Sequence, residues 1–164
     1  MTNLAAREGI PWFRETEIFT SGAEGYHTFR IPALAVAPDG TLLVFCEGRR
    51  DGVQDYHSLY LVLKRSEDNG ATWGDLQVIT GGGERVTHNP CVVVDKDTGT
   101  IWLAFCIDGG RVLVINSVDN GASWSDPVEI TSSVKQPSWT SYWTGPGHGV
   151  QLSNGTLVIP SYHV

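Results

Sequence analysis

Basic residues are scarce in this sequence. Eleven Lys and Arg stand against eighteen Asp and Glu, a net charge of -7 over 164 residues. Nucleic acid and anionic membrane surfaces both call for a basic face, so neither is expected as a partner. Long apolar runs are missing too: none approaches the roughly eighteen residues of a membrane span, and no span is predicted. The opening stretch Met1 to Gly9 is polar and carries Arg7 and Glu8. It does not read as a signal peptide, which makes a cytoplasmic location the default expectation. Cysteine is sparse. Cys46, Cys91 and Cys106 are odd in number, lie in or beside apolar runs, and come no closer than the fifteen residues from 91 to 106. Zinc sites show close pairs such as C-x2-C, so these three are expected to be buried structural thiols, with no metal and no cofactor. No stretch shows the 3.6-residue periodicity of an amphipathic helix.

What is present is a core and many turns. Hydrophobic residues make up 41% of the chain and six are Trp, which excludes general disorder. The length suits one ordinary domain. Nineteen Gly and eight Pro are spread evenly between short apolar segments rich in β-branched residues. These are Ile31 to Val36, Thr41 to Phe45, Leu59 to Leu63, Cys91 to Val94, Ile101 to Phe105, Val112 to Ile115 and Leu157 to Ile159. Asp39-Gly40, Asn69-Gly70, Thr98-Gly99, Asn120-Gly121 and Asn154-Gly155 separate them. Strand runs punctuated by hairpin chemistry predict an all-β fold.

The sequence also repeats itself. Ser66-Glu67-Asp68-Asn69-Gly70-Ala71-Thr72-Trp73 returns 51 residues later as Ser117-Val118-Asp119-Asn120-Gly121-Ala122-Ser123-Trp124. A Gly-Thr turn precedes an apolar strand at Gly40-Thr41, Gly99-Thr100 and Gly155-Thr156, and Pro32, Pro90 and Pro146 open the preceding strands. A period of about fifty to sixty residues with four antiparallel strands per unit is that of a β-propeller blade. Blade one is expected over about 30–80, blade two over about 88–131, and a partial third from about 146. Trp12 to Thr20 reads as one additional strand. Some two and a half blades cannot close a ring, so the sequence predicts an incomplete propeller, the N-terminal piece of a longer protein.

The repeated octapeptide Ser-x-Asp-x-Gly-x-x-Trp has a structural explanation. Its Ser and Asp accept backbone N–H groups of a tight turn, its Gly takes positive φ, and its Trp plugs the turn onto the sheet. It is the Asp box, similar to that of Asp-box propellers, and no chemistry is assigned to it. Chemistry is sought elsewhere. Arg30, in Phe29-Arg30-Ile31-Pro32, stands at the beginning of an innermost strand, where a guanidinium suits either a bound carboxylate or a salt bridge to a surface acid. The segment Glu47 to His57 reads as a loop joining the second and third strands, with Arg49, Arg50, Asp51 and Asp55 at the same end. On charge alone it is a solvated loop laced with ion pairs, although a shielded carboxyl there can serve as general acid. His27, His57, His148 and His163 lack metal-ligand spacing, and Asp95, Asp97 and Asp108 are too sparse for a calcium loop.

Phe29-Arg30-Ile31-Pro32 and the two Asp boxes at blade spacing resemble the exo-sialidases (neuraminidases), whose propellers have six blades. The likeness runs from about Tyr26 to Val164 and takes in Asp55-Tyr56-His57, His88-Asn89-Pro90-Cys91, Gly145-Pro146-Gly147-His148 and Pro160-Ser161-Tyr162. Residues 1–164 would then all belong to one sialidase-type propeller. The resemblance implies that Arg30 is the first of three arginines gripping the sialic acid carboxylate. It implies that Asp55, with Asp51 as a weaker rival, is the acid that protonates the leaving glycosidic oxygen. Arg49 is implied to flank the acid and the sugar, His88 and Asn89 to contact the N-acetyl side, and Tyr162 to border the glycerol side chain.

Sialidases use a Tyr nucleophile. In the family that Tyr, its Glu and the other two arginines come from later blades, so the chain alone is expected to be inactive. A sialylated glycoconjugate is the implied partner, with no obligate protein partner. The alternative is a non-catalytic Asp-box propeller that binds a glycan or a protein, since fold does not fix function.

Overall fold

The structure, a computed structural model, describes residues 15–56, 58–83 and 85–164. Four strands in chain order, β1 (Thr28–Val36), β2 (Leu42–Arg49), β3 (Leu59–Ser66) and β4 (Gln77–Gly81), form an antiparallel sheet. The pattern then repeats with β5 (Thr87–Val94), β6 (Ile101–Ile107), β7 (Arg111–Ser117) and β8 (Val128–Glu129). A single helical turn, α1 (Thr131–Val134), leads into β9 (Tyr142–Thr144), β10 (Gly147–His148), β11 (Val150–Gln151), β12 (Leu157–Val158) and β13 (Ser161–His163). β10 lies parallel to β5, whereas β11 pairs with β12 and β9 with β13 in antiparallel fashion. Two four-stranded meanders and a partial third make an all-β, incomplete β-propeller. Among the described residues no helix is long and apolar enough to cross a membrane.

Alternation along β2 shows why the sheets stack. Successive side chains leave a strand on opposite faces. Leu43 and Phe45 therefore join Leu61 and Leu63 against Val92, Ile101, Leu103 and Phe105 of the second sheet, in one continuous core. Cys46 and Val62 point the other way, under Tyr26, Phe19 and Phe29. β2 is buried on both faces, and each fully buried Leu or Phe adds about 1.5–3 kcal/mol.

The three Gly-Thr turns share one device. The N–H of Thr41 donates to Asp39 Oδ1 at 2.9 Å, that of Thr100 to Thr98 Oγ1 at 3.2 Å, and that of Thr156 to Asn154 Oδ1 at 3.1 Å. Three different residues supply the same short acceptor, as a tight turn requires. The two Asp boxes are likewise built alike. Gly70 and Gly121 donate their N–H to Ser66 and Ser117 Oγ, at 2.8 and 2.9 Å. Asp68 and Asp119 accept from the backbone and hydroxyl of Thr72 and Ser123. Both carboxyls are held down to about 2, chiefly by the Thr72 backbone N–H for Asp68 and by the Ser123 hydroxyl for Asp119. The second box also locks the two sheets together. Trp124 meets Phe45 edge-on at 5.6 Å, and Gly121, at φ 79°, leaves no room for a Cβ beside Leu43.

Several expectations are corrected. Residues 12–14 lie outside the described residues, and Glu15 to Thr20 carry no strand; Phe19 instead packs beneath the first sheet. The strands expected to open at Ile31 and Cys91 begin at Thr28 and Thr87, so Pro32 and Pro90 fall inside them. β2 continues through Glu47, Gly48 and Arg49, which the sequence reading placed in a loop. The fourth strand expected after each Asp box is present as the short β4 and β8, whereas the turn α1 was not foreseen.

Candidate active site

A strand can hold a proline only where its missing N–H does no harm, at an edge or a bulge. Both prolines of the first two sheets occupy bulges. The β1–β2 register shifts between Arg30 and Ala33, and the β5–β6 register between His88 and Cys91. The residue before each proline has positive φ: Ile31 at 55°, Asn89 at 54° and, ahead of Pro146, Gly145 at 61°. For a β-branched Ile this is a genuine outlier, the kind of strain that collects at functional sites. The consequence is local. Each bulge re-aims the side chains beside it at the same end of the fold.

There, all six residues singled out from the sequence meet. Arg30, Arg49, Asp55, His88, Asn89 and Tyr162 line one cavity of about 240 Å³, together with Ile31, Glu47 and Trp143. Asp51 is exposed and stands outside it. Arg30 comes from β1, Arg49 from β2, His88 and Asn89 from β5 and Tyr162 from β13. Wider hollows of about 410 Å³ beside α1 and about 440 Å³ along Leu34 to Val36 hold no comparable set of converging charges.

The charged groups form a chain. Asp55 Oδ1 lies 2.6 Å from Arg49 Nη1 and 3.5 Å from Arg30 Nη1. Arg49 is buried and donates from Nη2 to Glu47 Oε2 at 2.5 Å and from Nη1 to the Val53 carbonyl. Glu47, also fully buried, accepts the Asn89 N–H on Oε1 at 2.9 Å, and the same oxygen is 3.5 Å from His88 Nδ1. Arg30 differs from Arg49. Its side chain is 47% exposed and its contact to Asp55 is long, which leaves guanidinium edges open to a ligand. The Asp55 side chain is 70% exposed. His88 meets Trp143 edge-on at 5.2 Å, and Trp143 lies opposite Tyr162 across β9 and β13, giving the far wall an aromatic character.

Glu47 and Trp143 were not proposed from the sequence. Glu47 carried a usable signal, because residues two apart on a strand share a face with one another, and Arg49 had been singled out. Trp143 lies within a short strand no pattern announced. The three cysteines are free and buried, and burial pushes Cys46 up to about 12 and Cys91 up to about 11. Cys46 Sγ donates to the Arg30 carbonyl at 2.9 Å, a structural contact at the first bulge. Among the described residues no group of three His, Cys, Asp or Glu is placed to hold a metal ion.

Comparison with known proteins puts this geometry in context. A family described as BNR repeat-like domain matches residues 72–164. An exo-alpha-sialidase of Aspergillus fumigatus is 32% identical over 97% of this chain and 50% of its own length. Sialidase-3 of Bos taurus is 38% identical over 82% of this chain and 37% of its own. Among solved structures, the Hadza microbial sialidase Hz136 superposes with a TM-score of 0.82 at 27% identity, over 88% of this chain and 34% of that one. The chain thus spans half or less of the length of these relatives. With its repeats, open propeller and arginine-lined cavity, the chain belongs to the BNR-repeat, exo-α-sialidase family.

Proposed function

We propose that this chain supplies the carboxylate-binding and proton-donating part of an exo-α-sialidase, which hydrolyses terminal sialic acid from glycoproteins, glycolipids or oligosaccharides. The observation that carries this reading is the convergence of Arg30, Arg49 and Asp55 in one cavity with His88, Asn89 and Tyr162. Arg30, exposed and loosely paired, takes the sugar carboxylate through a bidentate contact. Asp55 then loses that partner; its exposed carboxylate takes a proton from solvent, releases Arg49 and passes that proton to the leaving glycosidic oxygen. His88 and Asn89 border the N-acetyl side, and Tyr162 the glycerol side. A Tyr nucleophile, rather than a carboxylate, suits an anionic sugar. In this reading that Tyr, its Glu and two further arginines belong to later blades, so the 164 residues alone release no sialic acid.

The exposure of Asp55 also suits a site that only binds a glycan. Kinetics separate the two. In the intact enzyme, Asp55→Ala is expected to cost about a hundredfold or more with natural sialosides and far less with activated aryl sialosides, whose leaving groups need no proton. Equal losses on both substrates would contradict the acid role. A propeller that turns over neither substrate would establish the binding role instead.

A further inference from the structure

We infer that Glu47 is a positioning residue: it fixes Arg49 in the cavity and ties it to the bulge of the second sheet. The inference rests on the sialoside reading of the cavity only for its effect on binding. Glu47 is fully buried, and its two oxygens face different sheets. Oε2 accepts from Arg49 of its own strand, and Oε1 accepts the N–H of Asn89, 42 residues on, at 2.9 Å. That N–H belongs to a residue held at φ 54°, so the carboxylate bonds directly to the strained turn of the second bulge. The linkage continues beyond it. The Asn89 carbonyl accepts from Thr144 Oγ1 at 2.9 Å, and the Thr144 N–H donates to Cys106 Sγ at 3.2 Å, which reaches the strand that carries Trp143. Asp55, at the exposed end, thus hangs on a polar chain that crosses β2, β5 and β9 beneath the cavity.

The chemistry of this chain demands a carboxylate. A Gln side chain has one acceptor oxygen and one NH2 group. If its oxygen faces Arg49, its NH2 confronts the Asn89 N–H; if its oxygen faces Asn89, its NH2 confronts the guanidinium. Either arrangement sets donor against donor in a buried site. Glu47→Ala is less informative here, because it strands a buried guanidinium and destabilises the whole chain rather than the positioning contacts alone. Glu47→Asp keeps both acceptors on a shorter arm.

The test is made on the 164-residue chain by NMR, comparing the parent with Glu47→Gln and Glu47→Asp, and using exposed Glu129→Gln as control. Two signals report positioning: the downfield amide proton of Asn89 and slowly exchanging Arg49 guanidinium protons. A third readout is the affinity for the α-methyl glycoside of sialic acid. In Glu47→Gln, with a dispersed spectrum showing that it folds, both positioning signals are expected to be lost and the sialoside to bind about tenfold more weakly or worse. Glu47→Asp should recover part of each, and Glu129→Gln should change none. Retention of both signals in Glu47→Gln would overturn the inference. A parent chain that ignores the sialoside would instead contradict the proposed function, and the two positioning signals would still decide the role of Glu47.

Discussion

The strands of the first two sheets have two ends, and the ends follow different rules. At the end where Leu42 pairs with Ser66 and Ile101 with Ser117, the side chains repeat. Ser66 and Ser117 do the same work, as do Asp68 and Asp119. At the opposite end, where Arg30 pairs with Glu47 and His88 with Cys106, only the backbone repeats. A positive φ ahead of a proline recurs at Ile31, Asn89 and Gly145, while the residues before them are Arg30, His88 and Thr144. Identical side chains mark the end that holds the fold together. A recurring bend with changing side chains marks the end proposed to bind the sugar, since one sugar would present different groups to each blade.

The comparison can be broken at either end. The largest effect is expected from Glu47→Ala, which leaves Arg49 buried beside the wrong neighbours and should cost about 3–5 kcal/mol in urea unfolding. A cost below about 1 kcal/mol would mean that Val53 and Asp55 satisfy Arg49 unaided. At the other end, Ser117→Ala leaves the Gly121 N–H without its acceptor in the turn packed on Leu43. It should cost about 1–3 kcal/mol and leave sialoside binding unchanged. If binding fell with it, the two ends would not be separable.

Much of the turn end was legible in the sequence. Ser-x-Asp-x-Gly-x-x-Trp and the Gly-Thr turns specify hydrogen bonds between residues two to four apart, and such local chemistry is written in spacing. The cavity end was legible only in part. Phe29-Arg30-Ile31-Pro32 pointed to Arg30, but nothing announced that Ile31 would take positive φ, because a β-branched residue avoids it. Glu47-Gly48-Arg49 looks like loop composition, yet it is strand, since a charge pair buried between sheets is a tertiary arrangement. β4 and β8 were legible from the repeat as the strand after each Asp box, but not from an apolar run, because they are short and none of their residues is fully buried.

A smaller effect sharpens the role of the Asp boxes. Asp68 and Asp119 are held at about 2, below the ordinary carboxylate value near 3.8. A depressed folded-state value stabilises the fold above the unfolded value, and that contribution is lost as pH falls from about 4 toward about 2. Asp68→Asn and Asp119→Asn should therefore lower the unfolding temperature at pH 6 and make little difference at pH 2. An equal drop at both pH values would show that the carboxylate charge is not what the turns use.

The central claim is that the cavity end recognises the carboxylate of a sialic acid through Arg30. The most direct measurement is ligand-observed NMR titration of this chain with α-methyl sialoside and with its methyl ester. The account predicts that the acid binds more tightly than the ester, and that Arg30→Lys narrows the difference by about tenfold, because an ammonium lacks the planar fork. Equal binding of acid and ester, unaltered by Arg30→Lys, would contradict it.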